Sequence, residues 1–182
     1  AHWIGYSEMA QPEGEHVTDA CAFCDGDCSY DRSSYSTDKR PVMVGYQAAG
    51  AAPFLKGEMI AEPETVATAI RIGRPQSWDQ AWAAQRESGG WFDLLTDEEI
   101  LATQKLLTEK EGIFCEPASA ASVGGAIRDI KNGKIPEGST IVCTLTGHGL
   151  KDPDTAIAQC EVNPQAIDAS LDAVKAAILD KL

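Results

Sequence analysis

The sequence predicts an α/β fold, layered, with a mostly parallel sheet and flanking helices. Two short apolar runs carry this reading, "GIFC" at 112–115 and "TIVCTL" at 140–145, which alternate with segments whose apolar residues recur at helical spacing. No internal repeat interrupts the alternation, and strands alternating with helices favour parallel pairing. A chain of 182 residues is long enough for one domain with a sizeable core. The expectation is a single α/β domain over 1–182.

The elements follow in chain order. The opening "AHWIGYSEMA" has neither a basic start nor an apolar signal core, so no export signal is expected, and the missing initiator Met suggests processing or a fragment. Residues 11–41 are rich in Gly, Ser, Asp and Pro without periodicity and read as a loop insertion. The Ala- and Gly-crowded segment 42–57 suits a helix packed closely against other backbone. Ser77 begins a capping-box pattern with Gln80, and Gly89-Gly90 closes that helix, on which Trp78 and Trp82 share a face. Thr96 with Glu99 repeats the pattern for a helix that ends near Gly112 and turns Ile100, Leu101, Leu106 and Leu107 to a core. After the expected buried strand 112–115 comes a helix over 116–130, with Pro117 in the first turn, where no amide proton is needed. The strand 140–145 follows. A last helix is expected from Asn163 as cap to the end, with Ile167, Leu171, Val174 and Ile178 on one face.

Charge narrows the function classes. Fifteen basic against twenty-eight acidic residues leave a net charge of −13, which repels nucleic acid and anionic membrane surfaces. No stretch approaches a transmembrane run. Six cysteines are too few for a disulfide-stapled scaffold of this length, and Cys115 and Cys143 sit in apolar runs as small core hydrophobes. A reducing, cytoplasmic compartment is expected.

Three places could carry chemistry. Ligands of open α/β sheets collect at the carboxyl ends of strands, where the expected strands run into Glu116–Ser119 and Thr146–His148. By pattern alone, a Gly-x-Gly there is more often a turn. Cys21, Cys24 and Cys28 form C-x2-C-x3-C, with His16 five positions earlier. Three thiolates and an imidazole would suit tetrahedral zinc, while a full zinc signature has two separated pairs, and a plain thiol loop or a redox site fits the spacing as well.

Taken together, "TAIRIGRPQSW" (68–78), "EGIFCEPASAAS" (111–122) and "LTGHGLKDP" (145–153) closely resemble threonine synthase, a pyridoxal-phosphate enzyme of the type II, tryptophan-synthase-like fold. The resemblance includes "AHWIGYSE" and "GYQAAGAAPF" (45–54) and is weakest over 11–41. It implies conversion of O-phospho-L-homoserine and water to L-threonine and phosphate, by a cytoplasmic or plastid-stroma homo-oligomer. It places Thr146 at the pyridine nitrogen of the cofactor, Ala69 beside the ring and Glu116 along the same cleft, with Gly147 and Gly149 letting the backbone pass close. His148 reads as a turn residue. The Schiff-base lysine of the family lies in a Phe-Lys-Asp stretch of its N-terminal half, which this sequence lacks, and Lys151 belongs to a different motif. The chain therefore resembles the C-terminal half of such an enzyme, inactive alone and needing the N-terminal half. A non-catalytic metal-binding or redox module that kept the fold, or another type II lyase such as a threonine dehydratase, is the alternative.

Overall fold

A computed structural model describes residues 2–10, 37, 39–159 and 166–179. The chain divides into two compact units, Ala1–Asp152 and Pro153–Leu182. The first holds a parallel pair of strands, β1 (Val44–Ala48) and β2 (Trp91–Leu95), with Val44 opposite Trp91 and Ala48 opposite Leu95. Parallel strands cannot be joined by a tight turn. The crossover here contains the single helical turn α2 (Pro53–Lys56), a 3-10 turn at Thr68–Ile70 and α3 (Trp78–Ser88); α1 (His2–Met9) precedes β1.

The segment 42–57 is therefore not the expected helix but a strand, a turn and one helical turn. Its small residues do permit close approach, of strand to strand: a Cβ on Gly45 would sit 2.7 Å from the Phe92 ring. The run "WFDLL" that forms β2 was not anticipated from the sequence, being only five residues long. Four rings bind this crossover to β2. Phe54 stacks on Trp78 at 4.6 Å and on Phe92 at 4.4 Å, while Trp82 meets Phe92 edge-on at 5.2 Å. Trp78 and Trp82 share a face as expected, their centroids 6.0 Å apart.

Of the two expected capping boxes, one forms. Thr96 Oγ1 accepts the Glu99 amide at 3.2 Å and Glu99 Oε2 accepts the Thr96 amide at 2.8 Å, opening α4 (Asp97–Glu111), which Gly112 closes at φ 67°. Ser77 precedes α3 but makes no capping bond, because its backbone at φ −95°, ψ 47° lies outside the extended region that aims a cap side chain at the helix. Gly89 ends α3 at φ 66° as expected. On α4, Ile100 and Leu107 are buried with Thr103 and Gln104, whereas Leu106, expected in the core, is exposed.

The helix α5 (Pro117–Lys131) begins with Pro117 behind Glu116, as the sequence predicts. It lies against α4 and both strands, and two glycines make that possible. A Cβ on Gly124 would come within 2.7 Å of Leu95, and one on Gly125 within 2.3 Å of the Tyr46 ring. The core is correspondingly built of small residues: Ala48, Ala51, Ala67 and Ala121 cluster with Leu95 and Ile100, and Tyr46, Ile70 and Ala118 pack against them. At the other end of α5, Asp129 is 1% exposed and accepts from Tyr46 and from Trp91, one residue from each strand.

The expected strands 112–115 and 140–145 do not form. The first makes one antiparallel bridge, Cys115 to His148, and residues 140–145 pair with no strand among the described residues. Apolar, β-favouring sequence needs a neighbouring backbone to become a ladder, and among the described residues 140–145 instead makes side-chain contacts: Cys143 Sγ and the Thr144 carbonyl contact Ser122 of α5, and Leu145 packs on Leu107, Cys115 and Ala120. In the second unit, α7 (Leu171–Leu179) forms within the stretch where a helix was expected from Asn163 but starts later, and α6 (Pro153–Gln159) comes before that stretch and was not anticipated. Asn163 and Pro164 lie outside the described residues, and Ile167 lies before the helix. Ser170 is the cap instead, its Oγ accepting the Ala173 amide at 3.2 Å. No described helix is long and apolar enough to cross a membrane.

Candidate functional site

The first turn of α5 organises the site. Glu116 precedes it with its backbone amide donated to the Gly147 carbonyl at 3.0 Å, and the Gly149 amide donates to the Phe114 carbonyl at 3.0 Å. These two bonds hold the Thr146–Gly149 turn antiparallel to residues 114–116. Both turn glycines are required by this contact. A Cβ on Gly147 would fall 2.0 Å from Glu116 Oε1, and one on Gly149 would fall 2.4 Å from the Phe114 ring. The closeness the sequence suggested is thus already used within the chain.

Ser119, on the first turn of α5, fixes the other side of the loop. Its Oγ accepts the Gly147 amide at 2.8 Å and lies 3.1 Å from Thr146 Oγ1. Ser119 is 2% exposed, while Thr146 is open to solvent. The sequence placed Ser119 at the end of the candidate segment Glu116–Ser119 without giving it a role of its own. His148 keeps its turn role: its Nδ1 accepts the Leu150 amide at 3.1 Å and its ring meets Phe114 edge-on at 5.6 Å.

Glu116 is buried beside Gly147, with Lys151 Nζ 4.0 Å from its Oε1. Ala69 is exposed on the 3-10 turn Thr68–Ile70. The residues flanking it, Ala67 and Ile70, join the core cluster with Ala118 and Ala121, so this turn also packs on the start of α5. The structure brings Thr146, Gly147 and Glu116 into one cluster and sets the turn carrying Ala69 against the same helix. His16, Cys21, Cys24 and Cys28 lie outside the described residues. Cys115 is buried and Cys143 half-buried, and burial pushes both thiols above the ordinary cysteine value. They are core groups, as the sequence suggested.

An α/β layer with a parallel strand pair, carrying a hydroxyl turn against a helix start, is an arrangement that cofactor-binding α/β enzymes share with other α/β proteins. The profile of the family described as pyridoxal-phosphate dependent enzyme matches residues 32–147, and the chain belongs to that family. It is 54% identical to a threonine synthase of Synechocystis sp. over 136 residues, covering 75% of this chain and 35% of that protein. It is likewise 54% identical to a threonine synthase of Mycobacterium tuberculosis over 132 residues, covering 72% and 37%, and 44% identical to one of Bacillus sp. over 167 residues, covering 92% and 47%. The chain thus spans less than half the length of these relatives. Among solved structures, O-ureido-L-serine synthase bound to O-ureido-L-serine has the same fold, with a TM-score of 0.52 at 21% identity, covering 75% of this chain and 38% of that one.

The residues present fit pyridoxal phosphate on the side of its ring. Thr146 offers a neutral hydroxyl, held by Ser119 yet open to solvent, and the exposed methyl of Ala69 suits the flat face of an aromatic ring.

Proposed function

We propose that this chain is the C-terminal portion of a threonine synthase, acting with an N-terminal portion that supplies the covalent lysine and the phosphate cup. The reaction takes O-phospho-L-homoserine and water to L-threonine and phosphate. Pyridoxal phosphate supplies an electron sink for the carbanions this requires. The chain's own contribution is narrower. Thr146 holds the pyridine nitrogen through a neutral hydroxyl, Ala69 lies beside the ring, and Glu116 lines the cleft while its backbone amide holds the Thr146–Gly149 turn in place.

The observation that carries this reading is the Thr146 hydroxyl, tied to a buried serine within a turn clamped on Glu116, in a chain 44% to 54% identical to the threonine synthases above. A structural turn has no need of a solvent-facing threonine fixed from behind.

The test is reassembly. The chain is mixed with the N-terminal portion of the Synechocystis threonine synthase and pyridoxal phosphate, and phosphate release from O-phosphohomoserine is followed. Neither piece alone should turn over; together they should, and Thr146→Val should lower the rate roughly ten-fold or more, as expected for one lost buried hydrogen bond of about 1–3 kcal/mol. Phosphate release with Thr146→Val equal to the unsubstituted mixture would overturn the assignment of the turn.

A further inference from the structure

The amide that clamps the Thr146–Gly149 turn belongs to the Cys115–Glu116 peptide, and the other polar end of that peptide is held as well. Gln104 Nε2, on α4, donates to the Cys115 carbonyl at 2.7 Å, while the Glu116 amide donates to the Gly147 carbonyl at 3.0 Å. Both directions are fixed by chemistry, since an amide N–H only donates and a carbonyl only accepts. In a trans peptide the two groups point opposite ways in one plane, so the unit is pinned between α4 on one side and the turn on the other. Gln104 is 3% exposed and Cys115 2%, and bulk water does not reach the bond between them. Leu107, one turn further along α4, seats the same cysteine by apolar contact. Packing alone would be served by an apolar side chain at 104, whereas a buried glutamine is costly unless its polar groups are bonded.

We propose that Gln104 is a positioning residue for the candidate site, acting on the Thr146–Gly149 turn through the Cys115–Glu116 peptide. Without a donor on its carbonyl, that peptide plane can tilt about the line joining its two Cα atoms, and the tilt takes the Glu116 amide off the Gly147 carbonyl. Donation to the carbonyl also polarises the peptide and strengthens its amide as a donor. With the clamp gone, the turn keeps the Gly149 amide on Phe114 and the Gly147 amide on Ser119, and Thr146 is held less closely. A residue on α4 thereby sets the site that α5 and the turn build. The effect on turnover rests on the reading of this cluster as part of a threonine synthase; the link from Gln104 to the turn does not.

Amide hydrogen exchange on the chain alone reads the link directly. Gln104→Met keeps the length of the side chain and removes the donor. Protection of the Glu116 amide should fall about ten-fold, one hydrogen bond's worth, while amides in the middle of α5 keep theirs. Unchanged protection at Glu116, or an equal loss throughout α5, would overturn the positioning role. Gln104→Glu covers the case in which methionine disturbs the fold. A protonated acid at 104 donates to the Cys115 carbonyl and a carboxylate cannot, and burial raises the pH at which the proton leaves. Protection at Glu116, relative to the middle of α5, should therefore stay close to the parent's at about pH 5 and fall about ten-fold toward about pH 8. The same ratio at both values would overturn the proposal. In the enzyme reassembled with the N-terminal portion of the Synechocystis threonine synthase and pyridoxal phosphate, phosphate release by Gln104→Glu should follow the same course, losing ground to the parent as pH rises. A ratio to the parent that stays flat would overturn the role in the site. No phosphate release from the parent mixture would instead sink the threonine synthase reading, with the exchange ratios still deciding for or against Gln104.

Discussion

The Tyr46 hydroxyl donates to Asp129 Oδ2 at 2.7 Å, joining the middle of β1 to the last turn of α5. Trp91 Nε1 donates to the same oxygen at 2.8 Å, so one buried carboxylate ties a helix to both strands of the sheet. Burial first, and then the carboxylate beside it, push the Tyr46 phenol well above its ordinary value, so it stays a donor across the physiological range. Arg128 at 3.8 Å and Lys134 at 3.9 Å offset the buried charge.

Asp129→Ala removes the acceptor of two donors at once and is expected to destabilise the chain by about 3 kcal/mol. Asp129→Asn keeps an oxygen for Tyr46 and Trp91 and loses only the ion pairs, so it should cost about 1 kcal/mol. Urea unfolding followed by tryptophan fluorescence measures both. Equal losses for the two substitutions would show that charge, and not the shared acceptor, holds this corner.

The fit of α5 depends on Gly125, whose added Cβ would stand 2.3 Å from the Tyr46 ring. Gly125→Ala should therefore push that ring off Asp129 and destabilise by about 1–3 kcal/mol, the usual range for overpacking, despite alanine's better helix propensity. Because both changes break the same bond, Gly125→Ala should cost less in an Asp129→Ala background than in the parent. Simple additivity in urea unfolding would mean the ring accommodates the methyl without leaving Asp129.

Acid should act on this corner through Asp93. Burial raises its carboxyl, but the Leu94 amide at 2.8 Å, Lys134 at 3.2 Å and Arg128 at 3.1 Å outweigh burial and hold it below the ordinary value of 3.8. A carboxylate whose folded value lies below its unfolded one contributes stability above the unfolded value and loses it as pH falls through the folded one. The parent chain should accordingly lose stability from about pH 4 downward, and Asp93→Asn should be weaker near neutrality with a shallower decline in acid. Parallel declines for the two proteins would place the acid sensitivity elsewhere.

Local chemistry was readable in the sequence where it acts over a few residues. The Thr96–Glu99 box, the Gly89 and Gly112 stops and the Pro117 start all formed within one turn each, while the equally local Ser77 box failed because its backbone leaves the extended region a cap needs. Strands were misread because pairing is decided at a distance. "VGYQA" and "WFDLL" carry little β signal alone and became strands by meeting each other, while "TIVCTL", with the strongest signal, has no partner strand among the described residues. In the candidate site, Thr146, Gly147 and Glu116 came from family resemblance. Ser119 did not, since its role is visible only once the 146–149 turn is laid against α5.

The unpaired segment 140–145 gives the last prediction. Val142 is 81% exposed and Ile141 is exposed beside it, a run of apolar, β-favouring residues whose backbone pairs with no strand among the described residues, an edge that single-domain proteins normally cover or charge. A two-stranded sheet is also marginal, and the relatives extend well beyond the length matched here. The covering element proposed is a strand of the N-terminal portion. Backbone amides of 140–145 should exchange rapidly in the chain alone and become protected when the N-terminal portion of the Synechocystis threonine synthase is added. Val142→Lys, which alters only an exposed side chain, should leave the urea midpoint of the chain alone nearly unchanged and weaken that association about ten-fold or more, because a charge would then be buried without a partner. Protection and affinity unaffected by the lysine would mean that this edge faces solvent in the assembled protein.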